Sequence, residues 1–346
     1  MPISQSTSRA RVCPAGVLLA AVVWILSTAG VLAEAAAPVL GLPLACEPGR
    51  TCFIQSYVDT DPSAAARDFR CGSATYDGHK GVDFRVLSTA AARTGIAVLA
   101  SAPGVVKGVR DSMPDELIRE AGRASVTSRE CGNGVVIDHG GGWETQYCHM
   151  RRGSVVVQRG ARIERGQKLG EVGYSGLADF AHVHLSVRKD GKVVDPFTGE
   201  GTSDGCTPAD RTSGSLWQAT VLGQFPYANG EILGAGFADR RPTTLALERD
   251  HESIPSPGPR SDVFVFYARV INVRAGDRVV LRVRGPAGFL VESAGRPVAR
   301  NQAQRVVFAG KKLRVPAWPS GRYEGQAELI RDGTVLDRAS ALLVLE

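Results

Sequence analysis

From residue 96 to residue 187 the chain is a series of apolar runs of four to six residues, at 96–100, 105–109, 134–138, 143–148, 154–157 and 182–187. Glycine turns or polar stretches separate them. Runs of this length between turn residues predict an antiparallel β domain. The last is the cleanest: Val183, Leu185 and Val187 alternate with His182, His184 and Ser186, the period of a strand buried on one face. A polar stretch over 111–130, helical at 114–122, interrupts the pattern and predicts a surface insertion that could wall a groove.

Residues 34–78 carry Pro43, Pro48 and Pro62 and predict irregular chain with one strand over 52–58. Residues 201–215, rich in Gly, Ser, Thr and Asp, predict a linker. Pro255, Pro257 and Pro259 mark a further break. Strand-like runs then return at 263–273, 278–284, 305–308, 323–331 and 334–345, with Asp332-Gly333 as a hairpin signal. Residues 216–250 are ambiguous by pattern and are expected to add the first strands of this second module. The fold class expected is mainly β: an antiparallel-sheet domain followed by a C-terminal β-sandwich-like, immunoglobulin-like domain. The expected division is 1–33 leader, 34–74 N-terminal extension, 75–200 first domain, 201–215 linker and 216–346 C-terminal β module.

The leader reads as a secretory signal peptide. Arg9 and Arg11 precede an apolar run over 17–33, and Val31 and Ala33 occupy the −3 and −1 positions of a cleavage site. An uncleaved anchor is the alternative, because the run is near the lower length limit for a membrane span. No later segment is apolar enough to span a bilayer, so no stable membrane insertion is expected once the signal is removed. Export to the periplasm or cell envelope follows. Net charge is +6; loss of Arg9 and Arg11 with the leader lowers it by two, to +4. That suits an anionic polymer without selecting one. No basic stripe is interleaved with aromatics, which argues against nucleic acid.

Of seven cysteines, Cys13 leaves with the leader and six remain, an even number in an exported chain. Three disulfides are expected. Cys131 and Cys148 flank a hairpin and are the preferred pair. Cys46 and Cys52 close a short loop, and Cys71 with Cys206 follows by elimination. No CxxC spacing points to cysteine-bound zinc.

The histidines fall into suggestive settings. His79 and Asp83 lie four apart, so an imidazole and a carboxylate can share a face. His182 and His184 lie on the same side of one strand, about 6–7 Å apart. His149 ends the run over 143–148. Two histidines and one carboxylate make a three-ligand zinc set with an open fourth position for water. Further histidines can polarise that water or stabilise an oxyanion. His139 reads as structural, bracing a hairpin, and His251 as a solvated linker residue.

The segments GHKGVDF, VLASAPGVV, GNGVVIDHGGGWETQYCHM, RGQKLGEVGYSG and AHVHLSV, in this order, resemble the M23 family of metallopeptidases, the lysostaphin/LytM group. The resemblance covers about residues 75–198. It implies a LytM/lysostaphin-type antiparallel domain in which His79, Asp83 and His184 bind one Zn²⁺ per chain. His149 and His182 are then the catalytic histidines. It further implies a zinc metalloendopeptidase hydrolysing peptide bonds in peptidoglycan, its partner. A non-catalytic LytM-type regulator of other wall hydrolases and a general zinc protease are the alternatives. Cys148, Met150, Ala181, Ser186 and Val187 depart from the common pattern and leave substrate preference open. The C-terminal β module has no catalytic constellation; it could position substrate, bind a protein partner or cover the peptidase.

Overall fold

A computed structural model describes residues 1–11, 36–202, 206, 212–227 and 229–346. The apolar run of the expected leader, with Cys13, and most of the expected linker lie outside the described residues. Among the described residues no helix is long and apolar enough to cross a membrane. Ala35–Glu346 form one unit.

The chain is mainly β, with 41% strand and 10% helix. Its first part contains β1 (Cys52–Ser56), β2 (Val82–Val86), α1 (Thr89–Arg93), β3 (Ala97–Leu99), β4 (Gly104–Arg110) and α2 (Ile118–Ala121). It continues through β5 (Asn133–Gly140), β6 (Trp143–Met150), β7 (Arg162–Ile163), β8 (Lys168–Glu171), β9 (His182–Lys189), β10 (Lys192–Asp195) and β11 (Glu200–Gly201). The main sheet runs β1-β2-β9-β6-β5-β4-β7, with β10 and β11 appended to β9, and β3 pairs with β8 alone. Every pairing is antiparallel. β9 is central because its apolar face, Val183, Leu185 and Val187, is at most 1% exposed.

Two expectations change. Residues 154–157 form no strand: the Ser154 hydroxyl donates to Arg151 O and accepts from the Glu171 amide, which turns the chain there. The insertion is less helical than its composition suggests, with α2 only four residues long.

The segments flanking the first domain are part of its core. Leu40, Leu44, Tyr57 and Phe69 on one side, and Leu216, Trp217, Val221 and Phe225 on the other, pack with the sheet residues. Leu40 and Trp217 form a parallel bridge.

Beyond α3 (Ala219–Gln224) come β12 (Glu231–Ala238), α4 (Thr244–Arg249), β13 (Val263–Val273), β14 (Arg278–Arg284), β15 (Leu290–Ser293), β16 (Gln302–Lys312), β17 (Gly321–Arg331) and β18 (Thr334–Leu345). They form two sheets, β12-β13-β16 and β15-β14-β17-β18, closed over one core that includes Phe264, Phe266, Leu281, Tyr323 and Leu329. This is the expected immunoglobulin-like sandwich. Near the start of β17, the Tyr323 hydroxyl donates to Pro319 O at 2.7 Å, the corner such sandwiches use to fix that strand. The β17–β18 turn has Asp332 at φ 50° and Gly333 at φ 79°, as the Asp-Gly pair predicts.

The sandwich packs directly on the first sheet. Phe53 meets Leu233 and Ile271. Asn272 donates to Gln55 O at 3.0 Å, Thr89 Oγ1 to Arg249 O at 2.9 Å, and Arg269 Nη1 to Leu87 O at 2.6 Å. His251, expected in solvent, lies 3.3 Å from Ser88 Oγ and is partly buried by this docking.

Candidate metal centre

Strand register assembles the cluster. Asp83 on β2 stands opposite His184 on β9, and Arg85 opposite His182. On the other side of β9, Cys148 of β6 stands opposite His184, which brings the next residue, His149, to the same end of the sheet. His79 lies in the loop before β2, not on a shared element with Asp83 as their spacing suggested. That loop is held by Asp59, whose amide donates to His79 O and whose carboxylate accepts from the Gly78 amide. Gly81 is required by proximity: a Cβ there would lie 2.6 Å from His184 Nε2 and 2.5 Å from Leu185 O.

Three donor atoms converge. His79 Nε2 is 3.1 Å from Asp83 Oδ1 and 3.1 Å from His184 Nδ1, and His184 Nδ1 is 2.9 Å from Asp83 Oδ1. Ligands bonded to one zinc at about 2.0–2.1 Å sit roughly 3.3 Å apart in a tetrahedron, close to this triangle.

Hydrogen bonding around the cluster tests the fit. His79 Nδ1 lies 2.6 Å from Tyr57 O, a pure acceptor, so that nitrogen carries the proton and Nε2 presents a lone pair. Ser186 Oγ donates to Lys80 O at 2.8 Å, so it accepts from His184 Nε2 at 3.0 Å, and His184 Nδ1 also presents a lone pair. Two imidazole lone pairs and a carboxylate oxygen thus face one another with no proton between them. Such a triad calls for a cation, and its donor types suit Zn²⁺. Electrostatics agrees. Burial opposes ionisation of Asp83, yet His79, His182 and His184 hold its carboxyl well below the usual range. Burial likewise disfavours a charged His79, and the Asp83 carboxylate more than offsets it, raising the imidazole pKa: the pocket favours positive charge at this point.

His149 and His182 stand beside this triad with ring centroids 4.5 Å apart. His149 Nδ1 donates to Ser175 O at 2.8 Å and His182 Nδ1 to Phe180 O at 2.9 Å. Each therefore keeps Nε2 as a proton acceptor, and His182 Nε2 is 3.6 Å from Asp83 Oδ1. Burial, with the neighbouring imidazoles, pushes the pKa of His149 well below its ordinary value; burial lowers that of His182. Both are neutral bases at pH 7. His149 adopts φ 63°, a conformation that costs a non-glycine residue of order 1 kcal/mol and clusters at functional sites. Its amide donates to Cys131 O, and the Cys131–Cys148 disulfide ties that acceptor to the strand.

The structure thus brings His79, Asp83, His149, His182 and His184 together and leaves two histidines out. His139 braces the β5–β6 hairpin between Pro103 O and Thr145 Oγ1, and His251 lies at the docking surface. The disulfides are Cys46–Cys52, Cys71–Cys206 and Cys131–Cys148. Sequence reasoning missed the supporting residues Ser186, Phe180, Ser175 and Gly81. Only Ser186 left a trace, by falling in phase with His182 and His184.

Residues 77–196 match the family model Peptidase family M23. An uncharacterized metalloprotease of Haemophilus influenzae is 30% identical over 135 residues, 38% of this chain and 24% of that protein. The peptidoglycan DD-endopeptidase ShyA of Vibrio cholerae is 35% identical over 63 residues, 18% of this chain and 14% of its own length. The catalytic domain of the prophage-encoded M23 protein EnpA from Enterococcus faecalis is 24% identical, covers 48% of this chain and 98% of that one, and gives a TM-score of 0.31. The chain spans about a quarter or less of the curated relatives it matches.

Proposed function

Residues 77–196 are a peptidase family M23 domain, and from this premise we propose that the chain is an exported zinc metalloendopeptidase hydrolysing peptide bonds in peptidoglycan. His79, Asp83 and His184 hold the metal; His149 and His182 are the catalytic histidines. The observation that carries the reading is the proton-free triad, whose two imidazoles are each fixed as lone-pair donors by a group behind them. The peptidoglycan substrate is supported by the DD-endopeptidase among the relatives. Export is supported by three disulfides, which persist in oxidising compartments.

The bound metal would supply Lewis-acid activation of a water and of the scissile carbonyl. The chain's own residues supply the proton traffic. His149 and His182, neutral and with Nδ1–H fixed on backbone carbonyls, each offer Nε2 to take a proton as attack proceeds. Once protonated, that nitrogen becomes a donor, able to stabilise the developing oxyanion and then to protonate the leaving amine. The carbonyls of Ser175 and Phe180 hold both rings through these changes.

The test is digestion of purified sacculi by the oxidised protein, with product masses compared against His184→Ala. Peptide-bond cleavage by the wild type and none by the variant is expected. Sacculus binding without hydrolysis by zinc-loaded wild type would support the non-catalytic regulator instead.

A further inference from the structure

The sandwich contributes a buried carboxylate to Arg85 of β2, two residues along the strand from Asp83. Glu248, on α4, is 0% exposed. Its Oε1 and Oε2 accept from Arg85 Nη2 at 3.1 and 3.0 Å, and Arg269 Nη2 of β13 lies 2.5 Å from Oε1. Arg85 is also 0% exposed and donates from Nη1 to Gln55 Oε1 at 2.6 Å. Gln55 is in turn held by Asn272 and Ala303 O of the sandwich. A fully buried guanidinium on β2 is thus fixed by Gln55, 30 residues away in sequence, and by Glu248, 163 residues away.

Arg85 stands opposite His182 in the β2–β9 register. Its Cζ lies 4.6 Å from the centroid of the Phe180 ring, a cation–π distance. The same ring packs on His182, with centroids 4.4 Å apart and planes at 34°. Phe180 also supplies the backbone oxygen that accepts the His182 Nδ1 proton. Its side chain and its carbonyl therefore both locate the imidazole.

We propose that Glu248 is a positioning residue for His182, acting through Arg85 and Phe180, so that the C-terminal sandwich sets the orientation of a catalytic imidazole. Two guanidiniums share one carboxylate at this spot, so without Glu248 the Arg85 charge has no buried counterion and leaves its place under Phe180. The inference rests on the reading that His182 moves a proton, and it assigns the sandwich a part in turnover beyond covering the peptidase.

The test uses the full oxidised chain. Glu248→Gln strands two buried charges and risks misfolding, so the decisive variant is the apolar triple Arg85→Met, Glu248→Leu, Arg269→Met, which fills the space without charge. Two quantities are read: kcat and KM on purified peptidoglycan, and water exchange of the His182 ring N–H by NMR, assigned by its loss in His182→Gln. The triple is expected to fold, to exchange that proton faster and to lose roughly 10- to 100-fold in kcat with KM little changed. Phe180→Leu, which keeps the backbone acceptor and the Arg85–Glu248 pair, should give the same pattern. A folded triple with wild-type kcat and wild-type exchange would overturn the proposal. If the wild type cleaves no peptidoglycan, the exchange arm still decides the positioning claim: faster exchange in the variants upholds it, and unchanged exchange ends it.

Discussion

Each histidine of the cluster has one ring nitrogen committed to a fixed acceptor behind it. For His184 that acceptor is Ser186 Oγ, available only because its own proton goes to Lys80 O. Ser186→Ala removes the acceptor and lets His184 protonate at either nitrogen, which should weaken zinc binding by about 10- to 100-fold. Competition with a chromogenic chelator measures this; an unchanged affinity would refute the tautomer argument. The five residues proposed for the site were legible because their types and spacing are written in the chain. Their supports were not. Ser175 acts through a backbone oxygen, which has no sequence identity; Phe180 does so too, and its ring contact with His182 joins residues that no local pattern links; Gly81 acts by lacking a side chain near His184.

Strands that alternate over a long run declare themselves, as β9 does over eight residues. β2 alternates too, Val82, Phe84 and Val86 against Asp83 and Arg85, but over only five residues, and all five are buried, so its polar positions do not mark a solvent face. Its polar face is covered by the metal cluster on one side and by Glu248 on the other. A similar cost is visible at the end of β10. Asp195 is 1% exposed; burial first, and then the charge of Asp68, push its pKa up to about 7. The amides of Phe197, Thr198 and Gly199 reach its carboxyl or its carbonyl, while Oδ2 has no partner among the described residues. A raised carboxyl destabilises the fold as the unfolded chain ionises and the folded one does not. Stability should therefore fall as pH rises from about 4 to about 7 and level off above, by roughly 4 kcal/mol at most. Asp195→Asn keeps the accepting oxygen and removes the charge. It should melt higher than wild type at pH 8 and no higher at pH 4; equal melting at pH 8 would mean the carboxyl ionises without penalty.

On the scale of the molecule, composition marked 201–215 as a linker, yet Leu216, Trp217, Val221 and Phe225 pack into the first core. Turn-forming composition reports local chain preference and says nothing about where the chain docks next. A chain ending at residue 215 loses four buried apolar side chains, each contributing about 1.5–3 kcal/mol, and should not fold. One ending at residue 229 keeps them and loses Glu248 and Arg269. It should fold with a lower melting temperature than the whole chain. Circular dichroism melts separate the two, and equal stability of both truncations would contradict this account of the core. The sandwich itself was legible from its long strands and its Asp-Gly turn. Its docking on Arg85 was not, because a buried Arg–Glu–Arg cluster joins residues on three elements that no local pattern connects.

His149 has a consequence for how such a chain changes over generations. Its left-handed backbone is one that glycine, and to a lesser degree asparagine, occupies at less cost. While turnover is selected, the imidazole is retained against that cost. In a lineage released from that selection, drift toward glycine at residue 149 would relieve backbone strain and remove the imidazole that the proposed function requires. The metal triad, whose removal leaves buried polar groups unpaired, would decay later. Inactive descendants would then be expected to keep a zinc site longer than a catalytic base.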